Sequence, residues 1–399
     1  MYEAAYKNNA IAVSGSNQEV GVMGWFTGGG HGPLSTTYGH GADNVLQATV
    51  ITTDGELLVA NECQNSDLFW ALRGGGGGTF GVVTEVVMKA YPQTNAACQS
   101  LAMHTTDKTN TTGFFDTMAY IYSELPRLKE GGMSGYSFAW GPPVYPQWYY
   151  TYGFCIWGKP NGTAEALFQP IKQYLDRQGG TINYTTEVKN YPTFYQAWNA
   201  SIGFEPVAGG GITVGSRLLP AGSFVGNQAN VARTLQTIGN AAPTIQGYFV
   251  ANSNNRGLNI SMNPAWRDAT VHMIVGSGFQ DTASPKQQKD VYDLTTYYLT
   301  SHLKSLAPDS GAYLNEVSRR HSFSTIWHRA NVYSFRVIHM TRTGNTPSGD
   351  PTTRVCDPSR SIMILIQCCG ASAVWVVRSG RRNRVASCAG MRGRIERER

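Results

Sequence analysis

The chain contains no GxxxxGK[ST] stretch, so it lacks the lysine and hydroxyl that carry the charge work in a phosphate-binding P-loop. It also lacks a CxxC pair or a His/Cys cluster, which removes the case for a zinc centre and leaves the metal set empty at this stage. No apolar run is long enough to span a bilayer. The nearest, residues 361–377, is short and carries Gln367 and Gly370, so no membrane partner is expected. There is no internal repeat. Met1 is followed by Tyr-Glu-Ala-Ala-Tyr-Lys, which reads as helix and not as a signal peptide. Charged residues are few, at 15%, but 41% of the chain is hydrophobic, enough for a sizeable core and too much for a disordered chain.

The positive charge is unevenly placed. Residues 317–399 hold fifteen Arg and no Lys against Asp350, Asp357, Glu396 and Glu398, a net of +11, which leaves residues 1–316 at −5. The body therefore has no basic footprint for nucleic acid. The same tail holds Cys356, Cys368, Cys369 and Cys388, and its composition breaks with everything before it. It reads as a disordered or aberrantly translated segment. A basic nucleic-acid tail is the other reading of that charge, and the acidic body gives it no support. Cys63, Cys98 and Cys155 remain in the body, an odd number whose pairing the sequence leaves open. Asn110, Asn161, Asn183, Asn199 and Asn259 begin N-x-[ST] sequons, against about four expected by chance in so polar a composition.

What the chain has in excess is glycine, 45 residues, gathered in two loops at 28–32 and 74–81. Residues 67–73 (DLFWALR) read as a short helix with Ser66 as cap, and 80–91 (FGVVTEVVMKAY) as a strand. The second loop thus runs from helix into strand. A Rossmann turn runs from strand into helix, so the GxGxxG spacing of Gly76, Gly78 and Gly81 does not make one. Two readings remain for these loops: main-chain N–H groups brought close to an anion, or glycines used for tight turns.

Residues 45–53 are β-branched and meet Asp54-Gly55, a hairpin turn, with 56–60 as the return strand. Beyond residue 95 the texture changes. Helices are expected over 112–125 and 163–177, and another opens at Ser284-Pro285-Lys286-Gln287, a capping box with proline at its first position. Strands are expected over 145–157 and 270–276. The fold class is α+β, with an antiparallel-sheet domain carrying helices over about 95–316.

Residues 20–92 resemble the second half of the flavin-binding domain in FAD-linked oxidases of the berberine-bridge-enzyme-like group, within the vanillyl-alcohol-oxidase superfamily (PCMH-type FAD domain). The stretches that carry the resemblance are VGVMGWFTGGGHGPLSTTYGHGADNVL, TTDGELLVAN and NSDLFWALRGGGGGTFGVVTEVVMKAYP, and NPAWRDATVHMIV with GAYLNE extends it to residue 316. It implies three regions: 1–94 as the C-terminal half of the FAD-binding domain, 95–316 as a substrate domain, and 317–399 outside the match. It also implies FAD as cofactor, with Gly28, Gly29, Gly30, His31 and Gly32 along the pyrophosphate and flavin ring. Gly39, Gly41, Asp43 and Asn44 would complete that wall, and Gly81, Val82 and Val83 would lie beside the adenosine. Within this loop the resemblance gives His31 a positional role.

The resemblance further implies hydride transfer from an alcohol or amine carbon of a small organic substrate to the flavin, with oxygen as final acceptor, in secondary metabolism. The base would lie in the neighbourhood of YLNE, with Glu316 as first candidate and Tyr313 as second, and burial would raise the pKa of Glu316. Arg217 is expected either to line the pocket or to form a structural ion pair. With the sequons, the resemblance points to secretion. Three departures accompany it. The family's upstream Gly-His segment, whose His bonds the flavin, precedes the point where this chain starts. Asn17 stands where bicovalent members carry Cys. The match ends at Glu316, short of the family's returning Lys- and Asp-Pro-containing segment. The alternative expectation is an inactive fragment or mis-predicted gene product with part of an FAD cradle. The sequence does not decide the oligomeric state.

Overall fold

The computed structural model describes residues 1–202, 211–252 and 254–316, and the backbone of 363–367, 376–378 and 381–383. The remainder of the 317–399 tail, including its cysteines, lies outside the described residues.

The N-terminal unit is built on a sheet. Helix α1 (Tyr2–Lys7) leads into β1 (Ala10–Ala12), then α2 (Val22–Thr27), α3 (Ser35–Tyr38), the hairpin β2 (Val45–Ile51) and β3 (Leu57–Asn61), α4 (Ser66–Leu72) and the long β4 (Val82–Pro92). The Asp54-Gly55 turn forms as its chemistry requires, with Gly55 at φ +85° and its N–H donated to the Thr52 carbonyl. The cap of α4 differs from expectation: Asn65, in a left-handed conformation, precedes the helix and Ser66 is its first residue. β4 organises the sheet. One edge pairs antiparallel with β2, the other with β1 through Ala90–Pro92.

The second unit is an antiparallel sheet with helices on one face. Its elements are β5 (Ala96–Thr105), α5 (Thr111–Glu130), β6 (Met133–Trp140), β7 (Tyr149–Trp157), α6 (Thr163–Arg177), β8 (Ile182–Tyr191), α7 (Phe194–Ser201), β9 (Ile212–Pro220), α8 (Gln228–Gly239), β10 (Thr244–Phe249), α9 (Ala265–Asp268), β11 (Ala269–Gly278), α10 (Pro285–Asp293) and α11 (Thr300–Leu306). The strand order is β8-β5-β7-β6-β10-β11-β9. Strand alternation sorts the aromatics of β7 and its approach: Trp148, Tyr150 and Tyr152 enter the helix-covered core, while Tyr149 faces the other way. The capping box at Ser284 and Gln287 is complete. Beyond residue 316, β12 (Met363–Gln367) runs antiparallel to β4, followed by β13 (Val376–Arg378) and β14 (Arg381–Asn383).

The two units share a core. Trp157, Phe194 and Trp198 of the second pack with Trp25, Phe26 and Leu34 of the first. Their indole nitrogens are satisfied across the boundary: Trp198 donates to the Ser16 carbonyl at 3.0 Å and Trp157 to that of Pro33 at 3.1 Å. β5 and β7 are further joined by a disulfide between register partners Cys98 and Cys155.

Candidate active site

The first glycine loop is pressed against its own chain. Gly30, at φ +72°, lies so close to the Trp25 indole that a Cβ would stand 2.7 Å from the ring, and a Cβ on Gly32 would stand 1.8 Å from the Ser14 carbonyl oxygen. The Trp25 indole N–H donates back to the His31 carbonyl at 2.8 Å. Gly28, Gly29, Gly30 and Gly32 are all buried, and so are Gly39 and Gly41. The 28–32 run is thus held closely by contacts within the chain.

That packing aims His31 at the second unit. Its ring sits among Tyr248, Trp266, His272 and Tyr313, with centroids 5.1 to 5.9 Å away. Its Nε2 is 3.4 Å from Glu316 Oε1, and His272 Nε2 is 2.5 Å from Glu316 Oε2. One carboxylate thus engages two imidazoles, from the glycine loop and from β11. His272 is fully buried, whereas 26% of the Glu316 side chain is exposed.

The electrostatics correct the expectation for Glu316. Burial pushes its carboxyl up, but the His272 and His31 imidazoles outweigh that and hold it well below the usual carboxylate range. Burial lowers His272 in turn, opposed by Glu316, so the pair is an ionised carboxylate facing a neutral imidazole that donates its Nε2–H. Burial and the nearby Glu316 push the Tyr313 phenol well above its ordinary value. It stays protonated at neutral pH, which suits a hydrogen-bonding group more than a base.

The ligand atoms of His31, His272 and Glu316 lie within 4.8 Å of one another, a spacing that could hold a cation. The tautomers argue otherwise. A cation on both Nε2 atoms would need each Nδ1–H to find an acceptor, and both Nδ1 atoms are buried with no partner among the described residues. A neutral His272 ring donating Nε2–H to the carboxylate leaves its Nδ1 as a bare acceptor, the cheaper arrangement.

Asp43 and Asn44 are buried and fully engaged by the protein. Asp43 takes a bidentate pair from Arg267 at 2.6 and 2.7 Å, a third bond from Asn255 at 3.0 Å and a fourth from the His40 N–H at 2.9 Å. Burial would raise its pKa, yet Arg267 and His40 hold it far below the ordinary value. Asn44 donates to the His40 carbonyl and accepts from the Tyr91 hydroxyl. Arg217 resolves as structural: its guanidinium caps the end of α11 through the Ala307 and Pro308 carbonyls.

The second glycine loop has a different character. It touches the first where the Gly76 N–H donates to the Thr27 carbonyl, but Gly75, Gly77, Gly78 and Thr79 are exposed. It leads to Gly81, half-buried at φ +129°, to Val82, 65% exposed, and to Val83, buried. Val82 pairs with Ile51, and Ile51 with Leu57, so three exposed apolar side chains adjoin at this end of the sheet. Beside the loop, Arg73 is buried with its Nε donor unpartnered among the described residues. Its guanidinium lies 4.1 Å over the Phe69 ring. An apolar shelf, exposed glycine backbone and one unpartnered guanidinium N–H suit a flat ring joined to an anionic linker. The residues thus fit one side of a dinucleotide cofactor.

His272, Arg267 and Trp266 escaped sequence reasoning. All three lie in NPAWRDATVHMIV, where His272 alternates with apolar residues as any core strand residue would. Their partners, Glu316 and Asp43, are 44 and 224 positions away.

Residues 1–61 match the FAD binding domain family. The FAD-linked oxidoreductase hmp9 of Hypomyces subiculosus is 31% identical over 333 residues, covering 79% of this chain and 52% of hmp9. The chain thus spans about half the length of that relative. The crystal structure of the VAO-type flavoprotein MtVAO713 from Myceliophthora thermophila C1 superposes with a TM-score of 0.77 at 29% identity, over 82% of this chain and 60% of that one. BBE-like #28 from Arabidopsis thaliana, 17% identical with a TM-score of 0.55 over 79% of this chain and 64% of its own, shares the fold. Motif, fold and sequence agree: the chain is similar to FAD-linked oxidoreductases and VAO-type flavoproteins over about half of their length, and its FAD-binding segment supports FAD as the cofactor.

Proposed function

We propose that this protein is an FAD-dependent oxidoreductase that removes a hydride and a proton from an alcohol or amine group of a small organic molecule. The observation that carries the reading is the convergence of His31, His272 and Glu316 beside the glycine loop of the FAD-binding segment. Bound FAD would supply the two-electron acceptor for the hydride, with oxygen as the final acceptor. The substrate proton goes to Glu316, the one partly exposed member of the cluster. Its two imidazole donors fix the carboxylate's orientation and keep it ionised at neutral pH, at a cost in base strength. Tyr313, protonated and beside Glu316, donates a hydrogen bond to the substrate oxygen or nitrogen. Exposed Gly75, Gly77 and Gly78, with the Arg73 Nε–H, hold the cofactor's phosphates, while Gly81, Val82 and Val83 carry its adenosine end. His31 acts through position, as do Asp43 and Asn44 behind it.

Secretion is part of this reading. The Cys98–Cys155 disulfide suits an oxidising compartment, and Asn161, Asn183 and Asn199 of the sequons are exposed. No described helix is long and apolar enough to cross a membrane. We infer no role in nucleic-acid binding.

A second reading has its own support. The open shelf of Ile51, Leu57 and Val82 fits a chain that keeps the fold without retaining the cofactor. Purified full-length protein is titrated with FAD, following flavin fluorescence, and then mixed with a panel of aromatic and aliphatic alcohols while flavin absorbance is recorded. Retained FAD that bleaches with an alcohol, with E316Q bleaching about 100-fold more slowly, supports the oxidoreductase. A protein that fails to bind FAD establishes the inactive reading.

A further inference from the structure

The sheet of the second unit has two faces, and both carry aromatics. On the helix-covered face Tyr150, Tyr152 and Phe154 are at most 3% exposed. On the opposite face a line of rings stays half open. Tyr248 lies 5.5 Å from His31 and 5.9 Å from His272, and 6.1 Å from Phe138. Phe138 stacks on Trp140 at 5.4 Å with planes 4° apart, and Trp140 is 5.9 Å from Tyr145. Tyr145 stacks on Tyr149 at 5.8 Å and 11°, and Tyr149 on His104 at 6.1 Å. Phe138, Trp140, Tyr149 and Tyr248 are half-buried, and Tyr145 is 43% exposed.

This line is not explained by folding alone. Phe138 and Tyr248 lean on the buried cluster that holds Tyr136 and Trp266, but Trp140, Tyr145 and Tyr149 belong to no described core cluster and withhold much of their area from burial. Nor is it scattered surface, because the rings are continuous from strand to strand and one end reaches the His31–Glu316 cluster. The cross-strand neighbours of Phe138 and Trp140 are Gln246, Thr151, Thr244 and Tyr149, none of them charged. A sugar chain would need a dense set of hydrogen-bonding groups for its hydroxyls, and a charged ligand would need a counter-charge. The strip offers π faces with a few neutral amide and hydroxyl groups, which suits a flat, neutral, unsaturated ring system.

We propose that the strip formed by Phe138, Trp140, Tyr145 and Tyr149 is an extended binding surface for a planar aromatic substrate, whose far rings stack along it while the reacting carbon lies at Glu316. The inference rests on the reading of Glu316 as the reacting end, but its test does not require turnover.

Equilibrium dialysis of the full chain against 2-naphthalenemethanol, benzyl alcohol and cellotetraose measures binding directly. Wild type should bind the two-ring alcohol most tightly. W140A and Y145A should weaken it five- to tenfold each, leave benzyl alcohol within twofold, and be matched by wild-type-like binding in Y145F. Thermal melts of the variants separate lost folding from lost stacking, because Tyr145 is largely exposed. The proposal is overturned if both variants bind 2-naphthalenemethanol as wild type does. It is equally overturned if cellotetraose is the ligand whose binding depends on Trp140 and Tyr145. Loss of flavin bleaching with naphthalene binding intact would strike the oxidoreductase reading and leave the strip standing.

Discussion

His272 Nε2 and Glu316 Oε2 stand 2.5 Å apart, one on a buried strand and the other on the partly exposed segment that follows α11. Each lowers the proton affinity the folded protein shows relative to the open chain, His272 through burial and Glu316 through its imidazole partners. Both therefore make the unfolded state bind more protons than the native one as pH falls, and the native state loses stability in that direction.

The pH dependence follows from that sign. Stability should be full above the ordinary imidazole value of 6.5, decline below it as His272 resists protonation, and decline further below the ordinary carboxyl value of 4.5. Melting temperatures recorded from pH 8 to 4 should show this. H272N should flatten the segment between about pH 6.5 and 5. A melting temperature that rises on acidification from pH 7 to 5 would contradict the assignment.

Asp43 and Arg267 should behave as a buried pair in which each group depends on the other. Removing only the guanidinium in R267M leaves a carboxylate with a buried charge, a loss of about 3–5 kcal/mol. D43N/R267M should recover most of it, so urea unfolding of the four-member cycle should give strong coupling. Additive losses would show the pair to be independent.

Two glycines separate close approach from backbone freedom. G32A places a methyl group 1.8 Å from the Ser14 carbonyl and should cost more than about 4 kcal/mol, seen as loss of soluble protein. G78A has no atom within 4 Å of the new methyl but sits at φ +71°, and should cost about 1 kcal/mol. Equal melting temperatures for the two would refute the distinction.

The disulfide joins residues 57 positions apart. C98S/C155S should lose about 2–4 kcal/mol, measured by guanidinium unfolding. An unfolding midpoint in C98S/C155S equal to that of wild type would show the link to contribute nothing.

Much of the fold was legible because local patterns carried it. The β-branched run at 45–51 ending in Asp54-Gly55, the capping box at Ser284 and the helix over Thr163–Arg177 all formed where pattern and turn chemistry placed them. The α4 cap was misplaced by one residue because Asn65 and Ser66 are both good caps, and the left-handed backbone at Asn65 decided between them. The strand expected from residue 145 begins at Tyr149, and alternation counted from there turns Tyr150 and Tyr152 into the core.

The candidate site was legible only in part. Glu316 and His31 could be singled out, but nothing along the chain states that positions 285 apart meet around one carboxylate. The direction of the Glu316 shift depended on that meeting: burial alone would have raised it, and two imidazoles from distant elements reversed the sign.

By itself the sequence determined the α+β class, the glycine loops and the resemblance to flavoproteins, since these rest on residues close together in order. Tertiary structure decided what those residues do. It packed Gly30 against Trp25 and Gly32 against Ser14, left Gly75, Gly77 and Gly78 exposed, and closed Asp43 on Arg267. Close packing and charge pairing are properties of atoms in space, and distance along the chain does not encode them.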